Sequence, residues 1–370
     1  MSEERKPITY ASTGVNYEAL DPLKRLAQFK ARETSRNLLL TGADEVGASR
    51  GESAFVWEED DSYRAIVIEG LGTKNLVADE MRKITGKTYY DQLAQDTVAM
   101  IINDLIVVGA SPQVVNAYFA VGDSDWFLDE ERTKDLVEGW AKACNMAGAT
   151  WGGGETPTLK DIISPGIIDL SGSAVGKISS KERLTLGDKL VEGDVILLAP
   201  SSGIHANGLT LAREIAQQLP KRYATLLSDG IMYGEALLTP THIYSNLVRG
   251  LFEAGVNIHY MVNITGHGWR KLMRADKDFS YILNRIPEPR PIFDFIQKHS
   301  NSPNEEMYGN FNMGAGFAIF VPPADIKKAQ EISQDYNLAL LKAGFIIRGP
   351  KQVALKPLDL VFYDNALSVR

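Results

Sequence analysis

An α/β (α+β) protein of two domains is what this sequence predicts, and three observations carry the expectation. Its 370 residues exceed what one hydrophobic core usually organises. Short β-branched runs bounded by glycine alternate with amphipathic helical stretches along the whole chain. A charged interval, "SSKERLTLGDKLVEGD" at residues 179–194, separates two such series. The expected domains are therefore residues 1–185 and 186–370.

In chain order, the first forty residues are mixed, with helical pieces such as "DPLKRLAQFKARET", and a glycine-rich stretch "TGADEVGASRGES" follows. "YRAIVIEG" at 63–70 is β-branched and ends in glycine, which predicts a buried strand. Val98, Ile101, Ile102, Leu105 and Ile106 recur at helical spacing in residues 95–110, with Gly109 as the stop. "VVNAYFAVG" reads as a strand, "ERTKDLVEGWAKACNMAG" as a helix closed by Gly148, and "IIDLSGSAVGKI" at 167–178 as another strand. The second half restarts with the strand "VILLAP", the loop "SSGIHANG" and the helix "LTLAREIAQQL". "NITGHGWRKLMRA" predicts a further loop and helix, and "FNMGAGFAIFV" an apolar strand that starts on small residues.

Composition narrows the function classes. With 44% apolar and 23% charged residues the chain is ordinary globular protein. Its net charge of −8 argues against nucleic acid as the main partner. No apolar run reaches membrane-spanning length, and the polar opening "MSEERKPITY" lacks the core of a signal peptide, so a cytoplasmic location is expected. Cys144 is the single cysteine, which excludes an intrachain disulfide; a small core residue is the expected role.

The polar residues that could carry chemistry cluster at the element junctions. Glu69 ends a strand, and Asp96 and Asn103 lie seven residues apart, about two helical turns, so they share a face, with Asp104 slightly round it. Oxygen ligands without a Cys or His cluster suit a hard cation such as Mg²⁺; an Asp near a helix start is more often a cap than a ligand. "GLGTK" at 70–74 offers glycines for close approach and Lys74 as a point charge for phosphate, or is simply a tight strand-to-helix turn. "SSGIHANG" precedes a helix and aims backbone N–H groups at an anion. His205 and Asn207 project from it, and a satisfied structural histidine is the alternative. His242, His259 and His299 are expected to be structural.

Two stretches stay open on spacing alone. In "NITGHGWRKLMRA", Arg270, Lys271 and Arg274 follow His267 as either a phosphate clamp or a solvated surface. In "WGGGETPT", glycines 152–154 allow a sharp turn with Glu155 at its edge, where it could reach a metal-bound phosphate. The alternative is that they end the preceding helix and leave Glu155 in solvent.

Taken together these blocks resemble one family. The tyrosine and Gly-Val at residues 10–15, "EGLGTK", "QDTVAMIINDLIVVGASP", "GGET", "LSGSAVGKI", "GDVILLAPSSGIHANGLTLAREI", "TPTHIYSNLV", "NITGHG" and "EEMYGNFNMGAGFAIFV" follow one another as in aminoimidazole ribonucleotide synthetases, the phosphoribosylformylglycinamidine cyclo-ligases. The resemblance implies a homodimer whose N-terminal strands share a β-barrel, with a C-terminal α/β domain. It also implies ATP and Mg²⁺ as cofactors, and a small phosphoribosyl substrate whose formamide oxygen is activated before an imidazole ring closes. Position by position it implies metal ligation by Glu69, Asp96, Asp104 and Glu155, and ATP or phosphate contacts from Gly70, Gly72, Thr73, Lys74, Asn103 and Thr156. Substrate contacts fall to Ser201, Ser202, Gly203, His205, Asn207 and Thr265, and Glu155, His205 and Lys74 take catalytic roles.

The departures concentrate around the substrate. Ala11 replaces a lysine, "GASRGES" replaces a glycine-rich lid, "PTLKDIISPG" follows "GGET", and Glu69 stands in place of an aspartate. The expected function is thus the ATP-dependent cyclo-ligase. The alternatives are a paralogue using the same nucleotide chemistry on another substrate, and a nucleotide-binding protein without turnover.

Overall fold

A computed structural model describes residues 17–367. Its first series comprises α1 (Tyr17–Arg32), β1 (Ala43–Glu45), β2 (Phe55–Glu59), β3 (Ser62–Gly70), α2 (Lys74–Thr85) and α3 (Tyr90–Ile106). It continues with β4 (Ser111–Val121), α4 (Glu130–Ala147), β5 (Thr150–Glu155) and β6 (Ile168–Ile178). The second series holds β7 (Val195–Pro200), α5 (Leu209–Gln218), α6 (Tyr233–Leu238), α7 (Ser245–Glu253), β8 (Tyr260–Asn263) and β9 (Phe279–Leu283). Then come α8 (Pro291–Ser300), α9 (Asn304–Asn310), β10 (Ala315–Val321), α10 (Ile326–Gln334), β11 (Leu341–Arg348), β12 (Gln352–Leu355) and β13 (Leu360–Tyr363).

The two series build two sheets. Six strands in the order β1-β2-β3-β6-β4-β5 form the first, and seven in the order β13-β12-β9-β11-β7-β10-β8 form the second. Strand alternation explains the first sheet's sidedness. Ala65 and Val67 of β3, Leu170 and Ala174 of β6, and Val115 and Ala117 of β4 are buried on one face, where α3 and then α4 pack. On the other face Ile66, Ile68 and Val114 are exposed, and Ile68 keeps 76% of its surface. Among the described residues the sheet is therefore open, with an uncovered apolar face.

Most expected elements form where the periodicity places them, and α4 closes at Gly148 in left-handed conformation. Cys144 is buried in α4, and burial pushes its thiol up to about 11, as a core residue requires. One expectation changes. The segment after "NITGHG" forms a short 3-10 helix, Gly268–Met273. The tyrosine and Gly-Val motif at residues 10–15, with Ala11, lies outside the described residues. No helix among the described residues is long and apolar enough to cross a membrane.

Candidate functional site

The junction between the two sheets carries a polar cavity of about 270 Å³. Glu69 enters it because it shares a face with Ala65 and Val67, toward α3, whose Asp104 points into the same space. The opposite wall comes from the end of β8 and the 3-10 turn, through Asn263, Thr265, Lys271 and Arg274, with Asn207 from the loop before α5. Asn263 donates its amide to Asp104 at 2.6 Å, Lys271 donates to the Thr265 hydroxyl at 2.6 Å, and the Gly266 N–H donates to Asn207 at 3.0 Å.

Two groups here have displaced protonation. Burial, reinforced by the neighbouring Asp104 charge, pushes the Glu69 carboxyl up to about 8. Burial and the Arg274 charge bring Lys271 down to about 8, with Asp104 and Glu69 opposing the drop. Near neutral pH Glu69 thus holds a proton beside Asp104. This is a strained carboxylate pair whose all-oxygen donor set suits a hard cation. Among the described residues no three or more His, Cys, Asp or Glu side chains gather as a metal centre. Of the four carboxylates expected as ligands, Glu69 and Asp104 face this cavity.

The other expected ligands are placed elsewhere, for identifiable reasons. Asp96 and Asn103 do share a face of α3, but that face is docked on residues 239–244. Asp96 accepts the Thr241 N–H at 2.9 Å and its hydroxyl at 2.5 Å, and Asn103 accepts the Tyr244 N–H and donates to the His242 carbonyl. Lys74 is wholly buried, paired with Asp96 at 2.6 Å, and donates at 3.0 Å to the carbonyls of His205 and Thr239. It is a clamp between the two halves and presents no charge to a phosphate in this arrangement. His205 is buried and accepts the Ser202 N–H through Nε2; burial first, then the charges of His242, Lys74 and Arg290, hold it neutral.

The loop residues resolve in the same way. Ser202 donates to the Pro240 carbonyl and Gly203 accepts from Asn312, while the buried hydroxyls of Ser201 and Thr73 find no partner among the described residues. Gly70, Gly72 and Thr156 are exposed. Arg270 is consumed by the carbonyls of His267 and Gly309, so only Lys271 and Arg274 of the basic run face the cavity.

Glu155 lies on the opposite side of the sheet. Gly70, Ser171, Tyr118 and Glu155 form one row across four strands, on the face that Glu69 does not share. Three strand spacings, ~14 Å, also separate the two ends of that row. The glycines before it form an edge strand, not a turn. β5 runs parallel to β4, and Gly152 is the extra residue of a bulge between the pairs Val115–Trp151 and Asn116–Gly153. A side-chain carbon on Gly154 would sit 2.3 Å from the Ala117 carbonyl oxygen, and Gly153 has φ +141°. Close packing against β4 excludes a side chain at Gly152 and Gly154, and the positive φ disfavours one at Gly153.

Sequence reasoning misses the contacts that hold Arg274 and Tyr260 beside the cavity. Ser53 accepts a hydrogen bond from Arg274 at 2.7 Å, and Glu52 accepts the Tyr260 hydroxyl at 3.0 and 3.1 Å. Both lie in "GASRGES", and the separation of 208 positions between Glu52 and Tyr260 leaves no local signal.

Fold and site define a two-unit α/β protein with a mixed-charge cavity at the junction of its sheets. Residues 50–178 match the AIR synthase related protein N-terminal domain, and residues 191–354 the corresponding C-terminal domain. The chain belongs to the AIR synthase family. It is 37% identical over 292 residues to phosphoribosylformylglycinamidine cyclo-ligase of Methanocaldococcus jannaschii, covering 78% of this chain and 79% of that one. The Carboxydothermus hydrogenoformans cyclo-ligase is 33% identical over 360 residues, covering 94% and 98%. In fold alone, hydrogenase maturation protein HypE in complex with ATP is similar at a TM-score of 0.54 and 18% identity, covering 70% of this chain and 75% of that one.

Proposed function

We propose that the protein is an ATP-dependent cyclo-ligase that converts formylglycinamidine ribonucleotide to aminoimidazole ribonucleotide, ADP and phosphate. The carrying observation is the pairing, in one cavity, of two carboxylates with Lys271 and Arg274, in a chain whose relatives bear that activity in their names. Glu69 and Asp104 would hold Mg²⁺, which when bound neutralises phosphate charge. Lys271 and Arg274 orient phosphoryl oxygens, and Lys271, at about 8, carries its proton at neutral pH. Asn207 and Thr265 fix the loops that shape the wall. Phosphoryl transfer to an amide oxygen followed by ring closure needs positioning and charge rather than a side-chain nucleophile. With ATP, Mg²⁺ and formylglycinamidine ribonucleotide, phosphate and the imidazole product are expected in equal amounts. Absence of both at high enzyme concentration would overturn the reading.

One observation favours a second reading, the same nucleotide chemistry on a different small molecule. Glu52 and Ser53, from a segment that departs from the family pattern, sit against Tyr260 and Arg274 at the cavity wall. ATP turnover with another acceptor, and none with formylglycinamidine ribonucleotide, would select it.

We also propose that a second copy covers the open face of the first sheet, completing the barrel and giving Glu155 and Thr156 a cleft on the partner to serve. Ile68, Asn116, Tyr118 and Glu155 line a recess of about 520 Å³ on that face. Light scattering is expected to give twice the chain mass, and Ile68→Glu to give the single chain. A fully active wild-type monomer at micromolar concentration would remove the proposal.

A further inference from the structure

The largest cavity described here, about 550 Å³, is not the one at the sheet junction. It lies on the outer side of α2, between that helix, the start of α4, α5 and the turn at residues 222–223. Its lining carries Arg82, Lys83, Arg132, Arg213 and Arg222 against Asp79 and Glu80, a local excess of three positive charges in a chain whose net charge is −8.

The acidic neighbours offset part of this excess. Asp79 is pushed up by burial, accepts the Tyr90 hydroxyl at 2.9 Å, and leaves its other oxygen buried without a partner. Glu80 is paired with Lys83 at 2.6 Å, and Asp129 and Glu131 pair with Arg82 outside the lining. Arg132 is held by Asp129 at 3.9 Å and by the Trp126 carbonyl, whereas Arg213 and Arg222 take part in no ion pair among the described residues. Guanidinium groups converging on a groove match phosphate oxygens in geometry as well as charge. The volume falls within the range of sites for small organic ligands.

We propose that this groove is a second binding site, for a small molecule bearing a diphosphate, held between α2 and α5 and so spanning the two halves of the chain. The site is separate from the cavity of Glu69 and Asp104, and it does not rest on the cyclo-ligase reading.

Pyrophosphate and, in a parallel arm, ADP would be titrated by calorimetry into the wild type, the double variant Arg213→Gln/Arg222→Gln, and Lys271→Met. The expected result is a pyrophosphate binding event that weakens by at least ~10-fold in the double variant and is retained in Lys271→Met. Tighter ADP than pyrophosphate binding in that event supports a nucleotide as the source; equal binding supports a free diphosphate. If circular dichroism shows the double variant unfolded, the exposed Arg222→Gln alone is read, with a loss of at least about threefold expected. The inference is overturned if the wild type binds no pyrophosphate at about 5 mM. It is equally overturned if the arginine variants bind as the wild type does, or if Lys271→Met abolishes the event instead. Failure of the cyclo-ligase reading is detected separately, as absent product in the turnover assay.

Discussion

Lys74→Met is expected to lower folding stability by roughly 3–5 kcal/mol, the cost of removing one partner from a buried ion pair. Both side chains are fully sealed, and the 2.6 Å contact between Lys74 and Asp96 is what offsets their desolvation. Burial alone drives Lys74 down and Asp96 up; each partner's charge opposes the other's shift. Without the ammonium, Asp96 keeps only the Thr241 hydrogen bonds, and the carbonyls of His205 and Thr239 lose their donor. Because those carbonyls belong to the second half of the chain, the loss also loosens the junction that shapes the cavity. Adding Asp96→Asn to the Met variant should recover part of the loss, since no buried charge then remains unpaired. Equilibrium denaturant unfolding measures both. A loss below about 1 kcal/mol in Lys74→Met would mean that water reaches the pair and that the clamp is not real.

How far the sequence was legible follows from where each residue's partners lie. Strands and helices announced themselves by local periodicity, so β3, β6, α3 and α4 form close to where that reading put them. The seven-residue spacing of Asp96 and Asn103 also fixed their common face. What that face meets, residues 239–244, lies some 140 residues away, for Asn103 at separations of 139 and 141. A carboxylate that ligates a cation and one that caps a distant backbone segment look alike in sequence, so spacing alone does not show that Asp96 is held by Thr241. The buried setting of Lys74 is hidden for the same reason, since its carbonyl partners lie 131 and 165 residues along the chain. Glu155 shows a different limit. Only strand order and the bulge at Gly152 put it on the face opposite Glu69, and neither leaves a local pattern. The cavity itself is half legible: local sequence points to Glu69, Asp104, Asn207 and Thr265, leaves Lys271 and Arg274 between clamp and surface, and carries no signal for the contacts of Glu52 and Ser53 behind it.

The second large effect is expected at Glu69. Replacing it with Gln keeps the shape, removes the negative charge, and leaves Asp104 as the single carboxylate for a hard cation, so turnover should fall by at least ~10²-fold, about 2.7 kcal/mol of barrier. Stability without metal should move the opposite way, and its pH dependence identifies the cause. The folded-state value of Glu69 is raised from 4.5 to about 8. Protonated Glu69 is thus favoured by folding: its contribution is fully present below pH 4.5 and is lost as pH rises through 8. Gln resembles the protonated acid at every pH, so in chelator the two proteins should match at acid pH and the variant should be the more stable above pH 8. The full shift corresponds to almost ~5 kcal/mol, and because the pair shares its interaction with Asp104 a gap of ~2 kcal/mol is expected. Denaturant unfolding in chelator across that pH range, beside turnover with ATP and Mg²⁺, tests both halves. A gap that does not grow with pH would show that Glu69 is solvated rather than strained against Asp104. Turnover close to wild type would show that the carboxylate pair is not where the phosphate charge is met.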